Sequence, residues 1–213
     1  MYTETNKPLI HKSKRLFDII FSILVLLLVS PFVLVALILI KFEQICRGRI
    51  SDPLFYSEIR MSYGKRFTLY KFNIFKYEQI LDARSRGEFI HTKKYEHNNG
   101  IIKTGWILKQ IYMDELPQFV SVLKGDLSIV GPRPVNLEVY DGLMTEGIID
   151  KNRVPGGITG NFQSHKETAG ADGNKLDKEY ADYYHTQPGY KVLFFDIKII
   201  LRTLKVILRA KGI

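Results

Sequence analysis

From Ile19 to Ile40 the chain runs for 22 residues without a charge. At the helical rise this stretch is roughly 33 Å long, enough to cross the hydrocarbon core of a bilayer. It does not read as a cleaved signal peptide, because the apolar run is too long and no small-x-small cleavage site follows it. Ser30-Pro31 falls in its middle. A proline there removes one backbone donor and its ring displaces the Leu27 carbonyl, so the sequence predicts a kink or break, with the Ser30 hydroxyl as the nearest partner for a freed carbonyl. Basic residues flank the run on both sides: Lys12, Lys14 and Arg15 before it, and Lys41, Arg47 and Arg49 after it. The positive-inside bias therefore gives no crossing direction. Either the segment dips into one leaflet and returns, or a kinked helix crosses.

Charge and composition narrow the function classes. The net charge is +9. Lys7, Lys12, Lys14 and Arg15 sit at the start, and Lys191, Lys198, Arg202, Lys205, Arg209 and Lys211 at the end, leaving the long middle nearly neutral. A nucleic-acid reader would carry its basic residues in the folded body, whereas this distribution puts them beside apolar segments, as an anionic bilayer favours. A lipid bilayer is the expected partner and nucleic acid is not. The single cysteine, Cys46, allows no internal disulfide framework and no multi-cysteine zinc site, which favours a reducing compartment.

The predicted fold is predominantly α with a small β-hairpin: a membrane segment over 1–45 and a folded domain over 46–213, the part that would carry any catalytic site. Leu54-Phe55-Tyr56 and Phe67 to Phe72 read as strands around the turn-prone Ser62-Tyr63-Gly64-Lys65. Tyr77 to Phe89 has a weak helical pattern, and Asn98-Asn99-Gly100 marks a turn. Asp114-Glu115-Leu116-Pro117-Gln118 resembles a helix start with Asp114 as its cap, the helix running toward Lys124 and closing at Gly125-Asp126. Gly131-Pro132-Arg133-Pro134 holds an arginine stiffly between two prolines. Gly156, Gly157 and Gly160 allow close backbone approach, to a ligand or within a tight loop. Val192 to Ile213 is an amphipathic helix with Ile197, Ile200, Leu201, Leu204 and Leu208 on its apolar face. It either lies in a membrane interface or packs on the core with its basic face solvated.

The Asp114-Glu115 pair, with Lys109 upstream and Arg133 downstream, combines carboxylates and cations in a way that suits a divalent metal and a phosphate. An aspartate can be a nucleophile toward phosphorus when cations screen the repulsion. No P-loop is present. His11, His91, His97, His165 and His185 show no metal-ligand spacing and read as structural or solvent-facing.

Several blocks together resemble one family. They are Lys14-Arg15-Leu16-Phe17-Asp18, Ser30-Pro31, Tyr70-Lys71-Phe72, Met113 to Gln118, Leu123 to Pro134, Gly157-Ile158-Thr159-Gly160 and Asp196 to Ile200. The chain is similar over nearly its whole length to the bacterial sugar transferases, small monotopic polyprenyl-phosphate phosphoglycosyl transferases. That resemblance implies transfer of a phosphosugar from a UDP-sugar to polyprenyl (undecaprenyl) phosphate, with Mg²⁺, releasing UMP. It takes place at the cytoplasmic face of the bacterial inner membrane and supplies downstream glycosyltransferases. It implies Asp114 as the nucleophile forming an aspartyl-phosphosugar intermediate, and Glu115 in metal and proton handling. Lys71, Lys109 and Arg133 are implied as phosphate contacts, and Ser30-Pro31 as the break of a re-entrant helix, with amphipathic interfacial helices beside it. The chain departs from the family pattern at Asn73-Ile74-Phe75, where a basic residue is missing, at the extra glycine in Pro155-Gly160, and at Phe162 to Glu167. The alternative reading is a catalytically silent, membrane-anchored homologue that binds a lipid or a partner enzyme.

Overall fold

The structure is a computed structural model that describes residues 9–87, 95, 100–165 and 172–209, except for the side chains of Leu208 and Arg209. Asn98, Asn99, His91, His97, Lys166 and Glu167 lie outside the described residues. The chain forms two compact units. One is built from the chain up to Val25, Glu58–Leu69 and the chain from Gln118 onward, and the other mainly from Leu26–Ser57 and Tyr70–Pro117.

Helix α1, Lys12–Cys46, contributes to both units. Residues four apart share a helix face, and both ends of α1 use this spacing. Lys14, Asp18 and Ser22 are buried in the first unit, and Ala36, Ile40 and Gln44 in the second. Between them Leu24, Leu27, Leu28 and Phe32 are exposed. Only 11% of the most apolar window is covered by the rest of the chain, too little for the core helix of a soluble protein. Both ends are built into folded cores, unlike those of a removable leader. The interruption predicted at Ser30-Pro31 is not a loss of helix. α1 continues through Pro31, and the Ser30 hydroxyl donates to the Leu27 carbonyl at 2.8 Å, so the carbonyl that loses its backbone donor has a local partner.

Strands β1 (Phe55–Ser62) and β2 (Lys65–Phe72) form the predicted hairpin. Its two-residue turn, Tyr63-Gly64, has positive φ at both positions (57° and 69°), the backbone that suits the twist of a tight hairpin. In the second unit follow α2 (Tyr77–Ser85), α3 (Lys103–Gln110) and a 3₁₀ turn, Met113–Glu115. Their core is formed by Tyr56, Phe72, Ile74, Phe75, Ile80 and Leu108, joined by Ala36 and Ile40 of α1.

The first unit holds α4 (Gln118–Lys124), β3 (Ser128–Val130), α5 (Leu137–Thr145), α6 (Asp150–Arg153), β4 (Gly157–Thr159), α7 (Asn161–Ser164), α8 (Gly173–Thr186) and α9 (Gly189–Arg209). β3 and β4 pair in parallel, Ser128 opposite Gly157 and Val130 opposite Thr159, a second sheet that the sequence reading does not contain. The glycines of the Pro155–Gly160 segment serve this pairing. A Cβ on Gly157 would meet the Gly131 nitrogen at 2.1 Å, and one on Gly160 the Gly131 oxygen at 2.2 Å. The close approach is therefore to backbone.

The inner face of α9 also differs from expectation. It is centred on the buried Val192, Asp196 and Ile199, whereas Leu201 and Leu204 are exposed together with Tyr190 and Phe194. Lys198, Arg202 and Lys205 are exposed as well. The hydrophobic pattern alone could not separate the two faces, because both are apolar and only the inner one meets α8 and β3.

Candidate active site

The second unit assembles the carboxylate pair in three steps. First, α3 is fixed at its start. The Glu43 carboxylate of α1 accepts the backbone N–H groups of Lys103 and Thr104, each at 2.7 Å, satisfying two donors that a helix N-terminus leaves open. Gly105 is needed in the same first turn, because a Cβ there would lie 2.6 Å from the Ile74 carbonyl. Second, the chain turns sharply after α3. Tyr112 adopts the left-handed conformation (φ 56°, ψ 20°), which costs a non-glycine residue energy and is held only where surrounding structure imposes it. Third, the next residues form the single 3₁₀ turn, which carries Asp114 inward to 7% exposure. Asp114 is therefore inside this turn and is not the cap of the following α-helix, which begins only at Gln118. Leu116 is itself helical (φ −55°, ψ −35°), and it is the missing N–H of Pro117 that stops the turn from running on into the next helix by an i to i−4 bond.

Glu115 points to β2. Its carboxylate accepts from the Lys71 ammonium at 2.9 Å, with side-chain exposures of 19% and 13%. Lys71 and Glu115 are 44 residues apart in sequence, so the fold brings together two of the expected site residues. Lys109 is half-buried in the last turn of α3, and Tyr112 N–H donates to its backbone carbonyl at 3.1 Å. Arg133 belongs to the first unit, on the loop after β3, and is exposed.

The missing basic residue at Asn73 has a structural explanation. Asn73 is fully buried, donates to the Pro53 carbonyl at 2.9 Å and accepts from the Phe75 N–H at 3.3 Å. It staples the end of β2 to the segment before β1, a position where a cation would be desolvated. The histidines within the described residues make structural contacts. His11 bonds the Tyr184 carbonyl, His165 that of Asn161 and His185 that of Arg153.

Among the described residues no three of His, Cys, Asp and Glu gather as a metal cage. Asp114 and Glu115 remain as adjacent carboxylates. Two carboxylates are too few for a structural zinc site, but they match the way magnesium is held, by one or two carboxylates with water and substrate phosphate oxygens completing the shell. The donor set therefore fits a hard divalent cation delivered with a phosphorylated substrate.

Comparisons with known proteins cover nearly the whole chain. The profile of the family described as bacterial sugar transferase matches residues 9–210. The sugar transferase EpsL of Bacillus subtilis (strain 168) is 34% identical over 204 residues, 94% of this chain and 89% of EpsL. The undecaprenyl-phosphate galactose phosphotransferase of Salmonella typhimurium is 31% identical over 93% of this chain and 41% of its own length. The UDP-glucose:undecaprenyl-phosphate glucose-1-phosphate transferase of Escherichia coli (strain K12) is 29% identical over 89% of this chain and 39% of its own length.

Proposed function

The chain belongs to the bacterial sugar transferase family, and from that premise we propose that it transfers a sugar phosphate from a UDP-sugar to polyprenyl phosphate. The observation that carries the reading is the Asp114-Glu115 pair on its constrained turn with Lys71 on Glu115. An Asp114 oxygen attacks the sugar-bearing phosphorus, and the bond to the uridine-bearing phosphate breaks, so that UMP leaves with that electron pair. A polyprenyl phosphate oxygen then attacks the same phosphorus, forming the diphosphate link and restoring the Asp114 carboxylate. Lys71, by fixing Glu115, keeps the second carboxylate beside the first. Lys71, Lys109 and Arg133 serve as phosphate contacts, since such transfer depends mainly on positioning and charge stabilisation. Asp114 and Glu115 would hold a magnesium ion, which when bound neutralises diphosphate charge.

The test is incubation with radiolabelled UDP-sugars, first with undecaprenyl phosphate to find a donor that releases UMP, then without it. Label on wild-type protein and none on a folded Asp114→Asn variant is the expected outcome. Label retained by that variant would overturn Asp114 as the nucleophile.

The same reading places the enzyme on the cytoplasmic face of the bacterial inner membrane, with α1 entering and leaving one leaflet. Chain connectivity supports this topology. The chain passes between the two units at 57–58, 69–70 and 117–118, and among the described residues α1 is the one helix long and apolar enough to cross a bilayer. Connections without a spanning segment support the re-entrant reading, in which both ends of α1, each buried in its own unit, leave the bilayer on the same face. The exposed Tyr190, Phe194, Leu201 and Leu204 of α9, interleaved with basic residues, suit a headgroup interface. Cysteines placed singly at Thr5 and Ser51, in a Cys46→Ser background, should both resist a membrane-impermeant thiol reagent on intact cells. Labelling of Thr5→Cys alone would contradict the re-entrant topology.

A further inference from the structure

From Leu127 to Pro134 every residue is buried except Arg133. The backbone that presents this single exposed side chain is held on both sides. On one side is β4: Gly131 N–H donates to the Thr159 carbonyl at 2.9 Å, and Gly157 N–H to the Pro132 carbonyl at 2.9 Å. On the other is a buried polar cluster contributed by three helices. The Lys14 ammonium of α1 donates to the Val130 carbonyl at 3.1 Å and to Asp196 of α9 at 2.5 Å. The Tyr180 hydroxyl of α8 lies 3.0 Å from the same Val130 carbonyl and 2.9 Å from Asp196. Asp18 of α1 accepts from the Ser128 hydroxyl at 2.8 Å and from the Ile129 N–H at 3.2 Å. None of Lys14, Asp18, Ser128, Tyr180 and Asp196 is more than 3% exposed.

The cluster therefore grips β3 along its length and ends at Val130, three residues before Arg133. Between them stand Gly131, whose added Cβ would meet the Pro155 carbonyl at 2.1 Å, and Pro132, whose φ is fixed by its ring. A displacement at Val130 has little backbone freedom in which to dissipate before it reaches Arg133. We infer that the Lys14–Asp18–Tyr180–Asp196 cluster is a positioning device for Arg133, acting through the Val130 carbonyl and anchored on the root of α1. The inference rests on Arg133 being a phosphate contact in the proposed transfer. Tyr180 is a positioning residue, and its hydroxyl can be removed with little change of volume.

Two measurements test it on the full chain in lipid nanodiscs. The first is a double-mutant cycle on UMP release. Tyr180→Phe should lower kcat/KM by about 3- to 30-fold, within the range of couplings between residues that share a network. In an Arg133→Ala background the same substitution should change it less than about 2-fold. An equal loss in both backgrounds, or no loss in the wild type, would overturn the inference while leaving the transferase reading intact. If Arg133→Ala alone has wild-type activity, Arg133 is not a phosphate contact, and the inference falls with it. The second measurement needs no turnover. A spin label at Arg133→Cys, in a Cys46→Ser background, should become more mobile on adding Tyr180→Phe, whereas a label at Glu138→Cys should not. Unchanged mobility at 133, or an equal gain at both sites, would overturn the positioning role even if no UDP-sugar supports activity.

Discussion

Each unit pairs a lysine with carboxylates, Lys14 with Asp18 and Asp196 in the first and Lys71 with Glu115 in the second, and the two arrangements differ in what they leave open. In the first unit Lys14 lies between Asp18 and Asp196, with side-chain exposures of 3%, 4% and 1%. Their remaining hydrogen-bonding capacity goes to Tyr180, Ser128, Ile129 and Val130. In the second unit Lys71 meets Glu115 at 13% and 19% exposure, next to Asp114. The same residue types thus make a sealed joint in one place and an accessible pair in the other. A sealed cluster has no lone pair to offer a substrate, and breaking it leaves an uncompensated charge in a low dielectric. A partly covered pair that still touches solvent costs less to disturb than a sealed one.

Substitution of the carboxylates and lysines should separate the two behaviours. The largest effect expected is on catalysis in the second unit. Asp114→Asn should reduce sugar-phosphate transfer by about 10⁴-fold or more, the scale on which removal of a nucleophile acts, with a loss of stability below the roughly 3–5 kcal/mol of breaking a sealed buried pair. A large loss of stability in that variant would make the second cluster structural as well and erase the distinction.

Removing each lysine is the next most informative contrast. Lys14→Met leaves Asp18 and Asp196 buried without their cation and should cost about 3–5 kcal/mol of stability. Lys71→Met, at a pair that still touches solvent, should cost less, about 1–3 kcal/mol, while impairing turnover through the loss of Glu115 positioning. Denaturation of the two variants in the same detergent measures both. Equal destabilisation would show that burial does not set the two clusters apart.

Much of the second cluster was legible in sequence, because its residues cluster there too. Asp114 and Glu115 are adjacent, and Lys109 is five residues before Asp114, so the charges near a proline-bounded turn are visible as a candidate site before any fold is known. The hairpin was equally legible, since Tyr63-Gly64 between apolar runs is a local signal. The first cluster was not. Lys14 reads as one more basic flank of an apolar segment, and its partner Asp196 is 182 residues away. Two signals were available: Lys14, Asp18 and Asp196 all fall in blocks that carry the family resemblance, and Asp196 is the only acidic residue from Tyr190 to Ile213, a lone acid in an otherwise basic, apolar helix. The β3–β4 pairing was hidden for a related reason. Its strands are three residues long, too short to show alternation, and its glycines are selected by contact with Gly131 rather than by any local turn. The continuity of α1 through Pro31 was also beyond local reading, because its ends are fixed by packing in two separate cores.

The most delicate contrast between the clusters is in proton binding, and the sealed one should show it. Burial pushes the Asp196 carboxyl up to about 6, against the opposing pull of Lys14 and the hydrogen bond from Tyr180. The hydroxyl of Tyr180 has one hydrogen and two acceptors within 3.0 Å, the Val130 carbonyl and Asp196. Protonated Asp196 can donate to Tyr180, which then gives its own hydrogen to Val130, so the protonated cluster satisfies more of its contacts than the ionised one. In the unfolded chain the carboxyl titrates in the ordinary aspartate range, near 3.8. The folded state therefore holds a proton that the unfolded state has lost, and stability from this group is complete below pH 4 and declines as pH rises through about 6. The decline amounts to at most about 3 kcal/mol. Asp196→Asn cannot titrate there, so the stability difference between wild type and Asp196→Asn should shift against the wild type from pH 4 to pH 7 and then level off. A difference that stays flat across that interval would mean that Lys14 holds Asp196 ionised throughout, and that the sealed cluster is a simple ion pair.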